Sequence, residues 1–230
     1  MMDAFERFGL LINDRVVKTP IALASMAGIV DAAYVLERQD NIGLAFIGGY
    51  SIDAPTIAAA KVVTSEGDRK EFIFDNPVEE MQKQVAMLKD SHVIPGINLR
   101  GSSPAAFVAV AKVLGDSVVY EIDAHCRQPA MVEAGCGEFY LKNKKDLCAV
   151  IRALKAEQVT VSVKIRAGVA DDDRSLAISC WKAGADILHI DLMDSGAAKL
   201  RQIRNSCPLM IIANNSINSF DRMQIGRAHV

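Results

Sequence analysis

Aromatic residues are scarce in this chain, 6% of 230 with a single Trp. A core short of rings has to be filled by Ala, Val and Ile, which suits many short buried strands covered by helices. No apolar run reaches the roughly 18 residues of a membrane span. Charge of one sign is also lacking: 26 Lys and Arg against 28 Asp and Glu give a formal charge of −2. That argues against a strongly basic nucleic-acid surface, and so against DNA, while leaving a local patch open. The five cysteines (126, 136, 148, 180 and 207) are odd in number and contain no CxxC. This disfavours a zinc site or a disulfide framework and points to a reducing cytoplasm. The opening MMDAFERFGLL carries early acids and lacks a signal-peptide layout.

What is present is a regular alternation. Half the residues are hydrophobic, enough for one large domain or two small ones. Gly9–Ala22 has two apolar segments around Asn13-Asp14 and reads as a hairpin. Core strands are expected at 19–25, 44–49, 93–99, 118–122, 159–165, 187–190 and 209–213. Between them lie helical patterns, with Asn76-Pro77 and Ser103-Pro104 as helix starts. Strand-plus-helix units in series imply parallel strands and right-handed crossovers. With no GxGxxG after the first strand, a dinucleotide-binding open sheet is disfavoured. The expectation is a (β/α)8 TIM barrel with an N-terminal β-hairpin, C-terminally truncated after about seven β/α units. No composition shift marks a second domain, so residues 1–224 form one barrel domain. The last six residues, IGRAHV, match a translated sequencing adapter and are expected to be a non-native tail; the plain alternative is a native terminus.

The chemistry is expected around Glu121–Leu141. An apolar strand ends at Asp123 and delivers Cys126, beside His125, into a loop followed by Gly135 and Gly137. A thiol at such a position can reach a substrate and act as an acid, or be a buried structural thiol. Lys164 stands near the end of the apolar strand VTVSVKI. An interior lysine is costly unless it meets an anion. It can also be a Schiff-base lysine of an aldolase barrel, or a strand-end side chain snorkelling to solvent. Asn98, Arg166 and Asn214-Asn215 also lie at strand ends, where a barrel binds its ligands; ordinary turn chemistry is the alternative. His189, followed by Ile190, is read as structural and turned towards the helices. Asp171–Asp173 read as helix caps. The other four cysteines read as core fillers.

Five segments in order carry a resemblance: PIALASMAGIVD, PGINLRGSSP, IDAHCRQPAMVEAGCGEFYL, VKIRAG and IIANNSINSFD. Together they resemble the dihydrouridine synthases, FMN-dependent (β/α)8-barrel oxidoreductases. Asp123, Arg127 and Ala130 depart from that pattern, where the family has Asn, Pro and Lys, as does Asp191 in place of a His. No counterpart of that family's helical tRNA-gripping domain is expected within these 230 residues. INDRVVKTPIALAS is similar to the start of dihydroorotate dehydrogenases. The resemblance implies FMN as cofactor, NADPH or NADH as electron donor, and reduction or oxidation of a C=C bond in a uracil-like ring. It implies Cys126 as the proton donor. Met26, Ala27, Asn98, Asp123, Lys164 and Arg166 would contact the flavin, and Asn214 and Asn215 its phosphate. The partner would be a small heterocycle or a uridine-containing RNA.

Overall fold

A computed structural model of the chain describes residues 9–67, 70–193 and 196–215. The first element is an antiparallel hairpin, β1 (Leu11–Ile12) and β2 (Arg15–Val16). Asn13 and Asp14 at its tip have φ of 51° and 56°, the left-handed conformation that a two-residue hairpin turn demands and that these short polar side chains tolerate.

Seven parallel strands follow in sequence order: β3 (Ala22–Leu23), β4 (Leu44–Ser51), β5 (Ile94–Arg100), β6 (Val119–Ala124), β7 (Thr160–Arg166), β8 (Ile187–Asp191) and β9 (Met210–Asn214). Helices α1 (Ala32–Leu36), α2 (Ala54–Ser65), α3 (Pro77–Met87) and α4 (Pro104–Leu114) connect the first four. Helices α5 (Pro129–Glu133), α6 (Phe139–Lys142) and α7 (Lys144–Ala156) lead to β7, then α8 (Asp173–Ala183) to β8 and α9 (Gly196–Arg204) to β9. Side chains fix several starts: Asp31 accepts from Tyr34 N, Asp53 forms a capping box with Thr56, and Asn76 accepts from Glu79 N ahead of Pro77. The result is a nearly closed α/β barrel, as the alternation of the sequence predicts.

Two separate apolar clusters define inside and outside. Ala45, Ile47, Ile97, Leu99, Tyr120, Ile122, Val161, Val163, Ile165, Leu188 and Ile190 pack with the helices. Their alternates Ala22, Leu44, Phe46, Ile94, Val119, Ile187, Met210 and Ile212 come from six different strands, yet form one cluster with Ile12 and Val17. Only the barrel interior can bring them together. The N-terminal hairpin therefore plugs the end where the strands begin, and the chemistry is left to the other end.

The expected strands end too early. β4 to β9 each run one or two residues further, through Ser51, Arg100, Ala124, Arg166, Asp191 and Asn214. The sequence pattern stops where apolar residues stop, whereas the ladders continue through polar residues that point into the mouth. The first strand is the opposite case, with only Ala22–Leu23 laddered out of the expected 19–25. The expected helix start near 219–221 and the tail at 225–230 lie outside the described residues. Among the described residues no helix is long and apolar enough to cross a membrane.

Candidate active site at the barrel mouth

Counting in twos from the apolar floor gives the inward residues of the upper barrel. These are Asn98 and Arg100 on β5, Glu121 and Asp123 on β6, Ser162, Lys164 and Arg166 on β7, His189 and Asp191 on β8, and Asn214 on β9. All lie towards the strands' C-terminal ends, where α/β barrels carry their reactive groups.

The deepest polar layer is centred on Glu121, which is fully buried. One carboxylate oxygen accepts from Asn98 Nδ2 at 2.8 Å. The other accepts from Ser162 Oγ at 3.1 Å and lies 2.7 Å from His189 Nδ1. Burial alone pushes its pKa up, but the charge and hydrogen bond of His189, the charge of Lys164 and the Asn98 bond outweigh it, so Glu121 is held below the usual carboxylate range. The His189 ring stacks on Phe46, with centroids 5.6 Å apart. His189 is thus inside the barrel, not turned to the helices as expected. Its neighbours Leu188 and Ile190 are the residues that face the helices.

Above this layer Lys164 is 4% exposed. Its amine donates to the backbone O and the Oγ of Ser25, at 3.4 and 3.3 Å, and among the described residues it has no ion pair within 4.0 Å. Both bonds are long, so the amine is loosely tethered by neutral groups. Ser25 belongs to the loop after β3, which continues through a turn at Met26, where Met26 O accepts from Ile29 N and Val30 N. Met26 is largely exposed at the rim and Ala27 half-buried beside it.

A second pair faces Lys164 from the rim. His125 Nε2 lies 2.6 Å from Asp191 Oδ2. The other Asp191 oxygen accepts from Met193 N and Asn215 Nδ2, both at 3.0 Å. Burial pushes the Asp191 pKa up, but the bonds from His125, Met193 and Asn215 more than reverse it, holding the carboxyl below its ordinary value. For His125 burial is the main cause of a lowered pKa, with the charges of Lys164 and Arg166 adding to it against the opposing pull of Asp123 and Asp191. This leaves a neutral imidazole oriented by a carboxylate, an arrangement suited to general base catalysis.

Asp123 shapes the loop that carries His125. Its Oδ1 accepts from His125 N at 2.9 Å and from Cys126 N at 3.0 Å. Cys126 is buried, and its carbonyl accepts from Glu138 N at 2.8 Å. A Cβ on Gly137, whose φ is +64°, would lie 2.2 Å from that carbonyl, so the backbone there requires glycine. Arg166 pairs with Glu138 at 2.9 Å and reaches the His125 carbonyl at 3.4 Å. Arg100 is buried against Glu71 and donates to Gly49 O at 2.6 Å.

The structure therefore gathers Asn98, Asp123, Cys126, Lys164, Arg166, Asn214 and Asn215 at one end of the barrel, with Met26 and Ala27 at its rim. Glu121, the His125–Asp191 pair and His189 were not singled out as a functional group by sequence. A charged residue near the end of the run VVYEI was the available signal for Glu121. Among the described residues, no three His, Cys, Asp or Glu side chains converge as a metal-ligand set.

No family model matches the chain. An uncharacterized protein from Methanocaldococcus jannaschii is 26% identical over 220 residues, 88% of this chain and 82% of that one. Among solved structures, a provisionally assigned lyase/mutase from Burkholderia cenocepacia superposes with a TM-score of 0.58 at 12% identity, over 90% of this chain and 73% of the other. HMG-CoA lyase from Brucella melitensis gives 0.56 at 13% identity, over 90% and 77%. A 2,3-dimethylmalate lyase, a member of the PEP mutase/isocitrate lyase superfamily, gives 0.56 at 10%, over 94% and 73%. At these identities the likeness establishes the barrel fold.

These comparisons correct the flavin reading. The solved barrels named above are lyases or a lyase/mutase, and the resemblance to dihydrouridine synthases is withdrawn. With it go FMN, NADPH or NADH, the oxidoreductase class, and tRNA uridine as substrate. The site gives a physical reason as well. Asn98, expected to address a flavin edge, is 1% exposed and spends its amide donor on Glu121. Asn215, expected at a phosphate, donates to Asp191. Two of the matching strings run from a strand end to a glycine at positive φ (Gly137, Gly168), a backbone demand that carries no chemistry of its own.

Proposed function

We propose that the chain is a carbon–carbon lyase of the aldolase type, acting on a small β-hydroxy carbonyl compound through a Schiff base on Lys164. The observation that carries this reading is Lys164 itself: a buried amine at the barrel mouth, free of any ion pair among the described residues, beside an oriented His125–Asp191 pair. The lyase identity of solved barrels of similar fold supports it.

In this scheme the neutral amine attacks the substrate carbonyl, and the carbinolamine takes up one proton from solvent and loses water, giving an iminium ion; hydrolysis at the end of the cycle releases that proton again. His125 removes the proton of the β-hydroxyl. The Cα–Cβ bond breaks, an aldehyde or ketone departs, and the electron pair moves into the iminium as an enamine. The imidazolium of His125, stabilised by Asp191, returns its proton to the enamine carbon. Water then hydrolyses the imine and frees Lys164. Cys126 stands next to His125 as a secondary proton donor.

The test is reductive trapping. Purified protein is incubated with a panel of 2-oxo acids and aldehydes and then with borohydride. The expected result is a single adduct mapped to Lys164 by peptide mass spectrometry and absent from Lys164→Ala. Labelling that is spread over surface lysines, or equal in the variant, would refute the proposal.

A further inference from the structure

Arg100 closes the inward row of β5, yet its carboxylate partner, Glu71, belongs to no strand or helix. Glu71 stands in the connection from α2 to α3, beside Phe72, which makes one parallel bridge to Tyr50 and stacks on its ring with centroids 5.3 Å apart. This connection crosses the loop that follows β3. A Cβ on Gly28, whose φ is +71°, would lie 2.5 Å from the Lys70 carbonyl carbon and 2.7 Å from Glu71 N, so only glycine lets the two segments touch. Residues 70–74 are thus a strap across one side of the mouth, and Glu71 is the side chain it sends inward, with no exposure to solvent.

The pair is poorly matched for a purely structural tie. A guanidinium holds a carboxylate best through two parallel N–H···O bonds. Here Nη2 serves both the Glu71 carboxylate and the Gly49 carbonyl, while Nε is buried without a partner among the described residues. A buried ion pair also returns little net stability, because desolvating both charges offsets their attraction. For a ligand, however, Arg100 is well placed. Leu99 is the register partner of Ile122, which sets Arg100 beside Asp123, and Asp123 is in turn the register partner of Lys164. Only β6 stands between the strands of Arg100 and Lys164. The Asp123 carboxylate between them turns one oxygen onto the amides of His125 and Cys126, and among the described residues the ion-pair partner of Arg100 is Glu71.

We propose that Arg100 is the receptor for a carboxylate on the substrate, and that Glu71 occupies it in the free protein as an internal substitute. To bind, the substrate displaces Glu71, which leaves for solvent as the strap lifts, and its own carboxylate takes Nη2 and the vacated approach to Nε. The exchange is neutral in charge: one carboxylate leaves the guanidinium as another arrives, so no buried charge is left bare at either stage. The substrate class then narrows from carbonyl compounds in general to 2-oxo acids, whose carboxylate is one carbon from the carbonyl that Lys164 attacks. The inference rests on the Schiff-base reading for that carbonyl, whereas the exchange of carboxylates on Arg100 is measured separately from it.

The experiment is calorimetric titration of the full chain with pyruvate, and with pyruvamide as its neutral isostere, in the wild type, Glu71→Gln and Arg100→Met. Glu71→Gln keeps the shape of the strap and removes the competing charge, so affinity for pyruvate rises at least about tenfold while that for pyruvamide changes less than about threefold. Arg100→Met loses the preference for pyruvate over pyruvamide. A structural tie predicts no such gain, since loosening it weakens binding or leaves it unchanged. Equal pyruvate affinity in the wild type and Glu71→Gln, or a gain shared by pyruvamide, overturns the inference. If Glu71→Gln does not fold, hydrogen exchange on the unaltered protein decides. The amides of residues 70–74 then exchange faster with pyruvate than with pyruvamide, and equal or slower exchange overturns the inference. The titration is repeated with Glu71→Gln in a Lys164→Ala background. The same gain there, with no borohydride adduct in the wild type, sinks the Schiff-base reading and keeps this one, whereas an adduct without the gain does the reverse.

Discussion

The Arg100–Glu71 pair gives the sharpest test of how this barrel is held. Both side chains are essentially without solvent, at 1% and 0% exposure. Arg100 closes the inward row of β5, and Glu71 reaches it from the segment between α2 and α3. The only other bond of Arg100 among the described residues is to Gly49 O at 2.6 Å, and its Nε has no partner there. Glu71→Leu would leave a permanently charged guanidinium buried on one carbonyl. Removing one partner of a buried ion pair costs about 3–5 kcal/mol, which for a domain of this size corresponds to a fall in Tm of roughly 6–20 °C. Arginine does not lose its proton in any usable pH range, so it cannot relieve the cost by titrating. The second change, Arg100→Met, removes the stranded charge, and the double variant should recover most of the loss. Urea denaturation of the wild type, both single variants and the double variant measures the cycle. A double variant no more stable than Glu71→Leu, or a single variant within about 1 kcal/mol of wild type, would refute the reasoning.

Two further outcomes follow from the site. Gly137→Ala places a Cβ at a left-handed φ and 2.2 Å from the Cys126 carbonyl. It should cost at least about 2 kcal/mol in urea denaturation, since the conformational penalty alone is about 1–2 kcal/mol, and should lower turnover by shifting the His125 loop. Because burial, with Lys164 and Arg166, holds the His125 pKa below its ordinary value, the base stays neutral to lower pH than an ordinary histidine. The acid limb of lyase turnover should therefore lie below the ordinary histidine range, as His125 takes up a proton only there; His125→Asn should remove that acid limb of the pH–rate profile.

How much of this was legible in the sequence differs from one feature to the next. The barrel was, because strand and helix patterns alternate along the chain and some helix starts carry their own marker, as at Asn76-Pro77 and Ser103-Pro104. The position of Lys164 was too, since a lysine closing VTVSVKI has few inexpensive places to go. The inside of the barrel was not. In a strand buried on both faces, hydrophobic alternation does not tell inward from outward, and His189 between Leu188 and Ile190 was assigned to the wrong side for that reason. Glu121 was hidden at the end of an apolar run, and its three partners come from β5, β7 and β8, 23 to 68 residues away. The same ambiguity misled the reading of function. Short strings such as VKIRAG record the backbone demands of a barrel strand and its glycine turn, and these are shared by enzymes with different chemistry.

The strictly sequential strand order has a consequence for how the molecule comes into being. Each ladder joins a strand to the one made just before it, across separations from 22 residues (Ala22 with Leu44) to 50 (Leu44 with Ile94). No pairing within the described sheet has to wait for a distant part of the chain, so loop-closure entropy stays nearly constant from step to step. As the polypeptide leaves the ribosome, each new strand meets an edge already in place, and the sheet can grow by addition in the direction of synthesis. The Glu121 layer is then assembled last partner last: Asn98 waits for Glu121, Glu121 for Ser162, and His189 completes it only when β8 arrives.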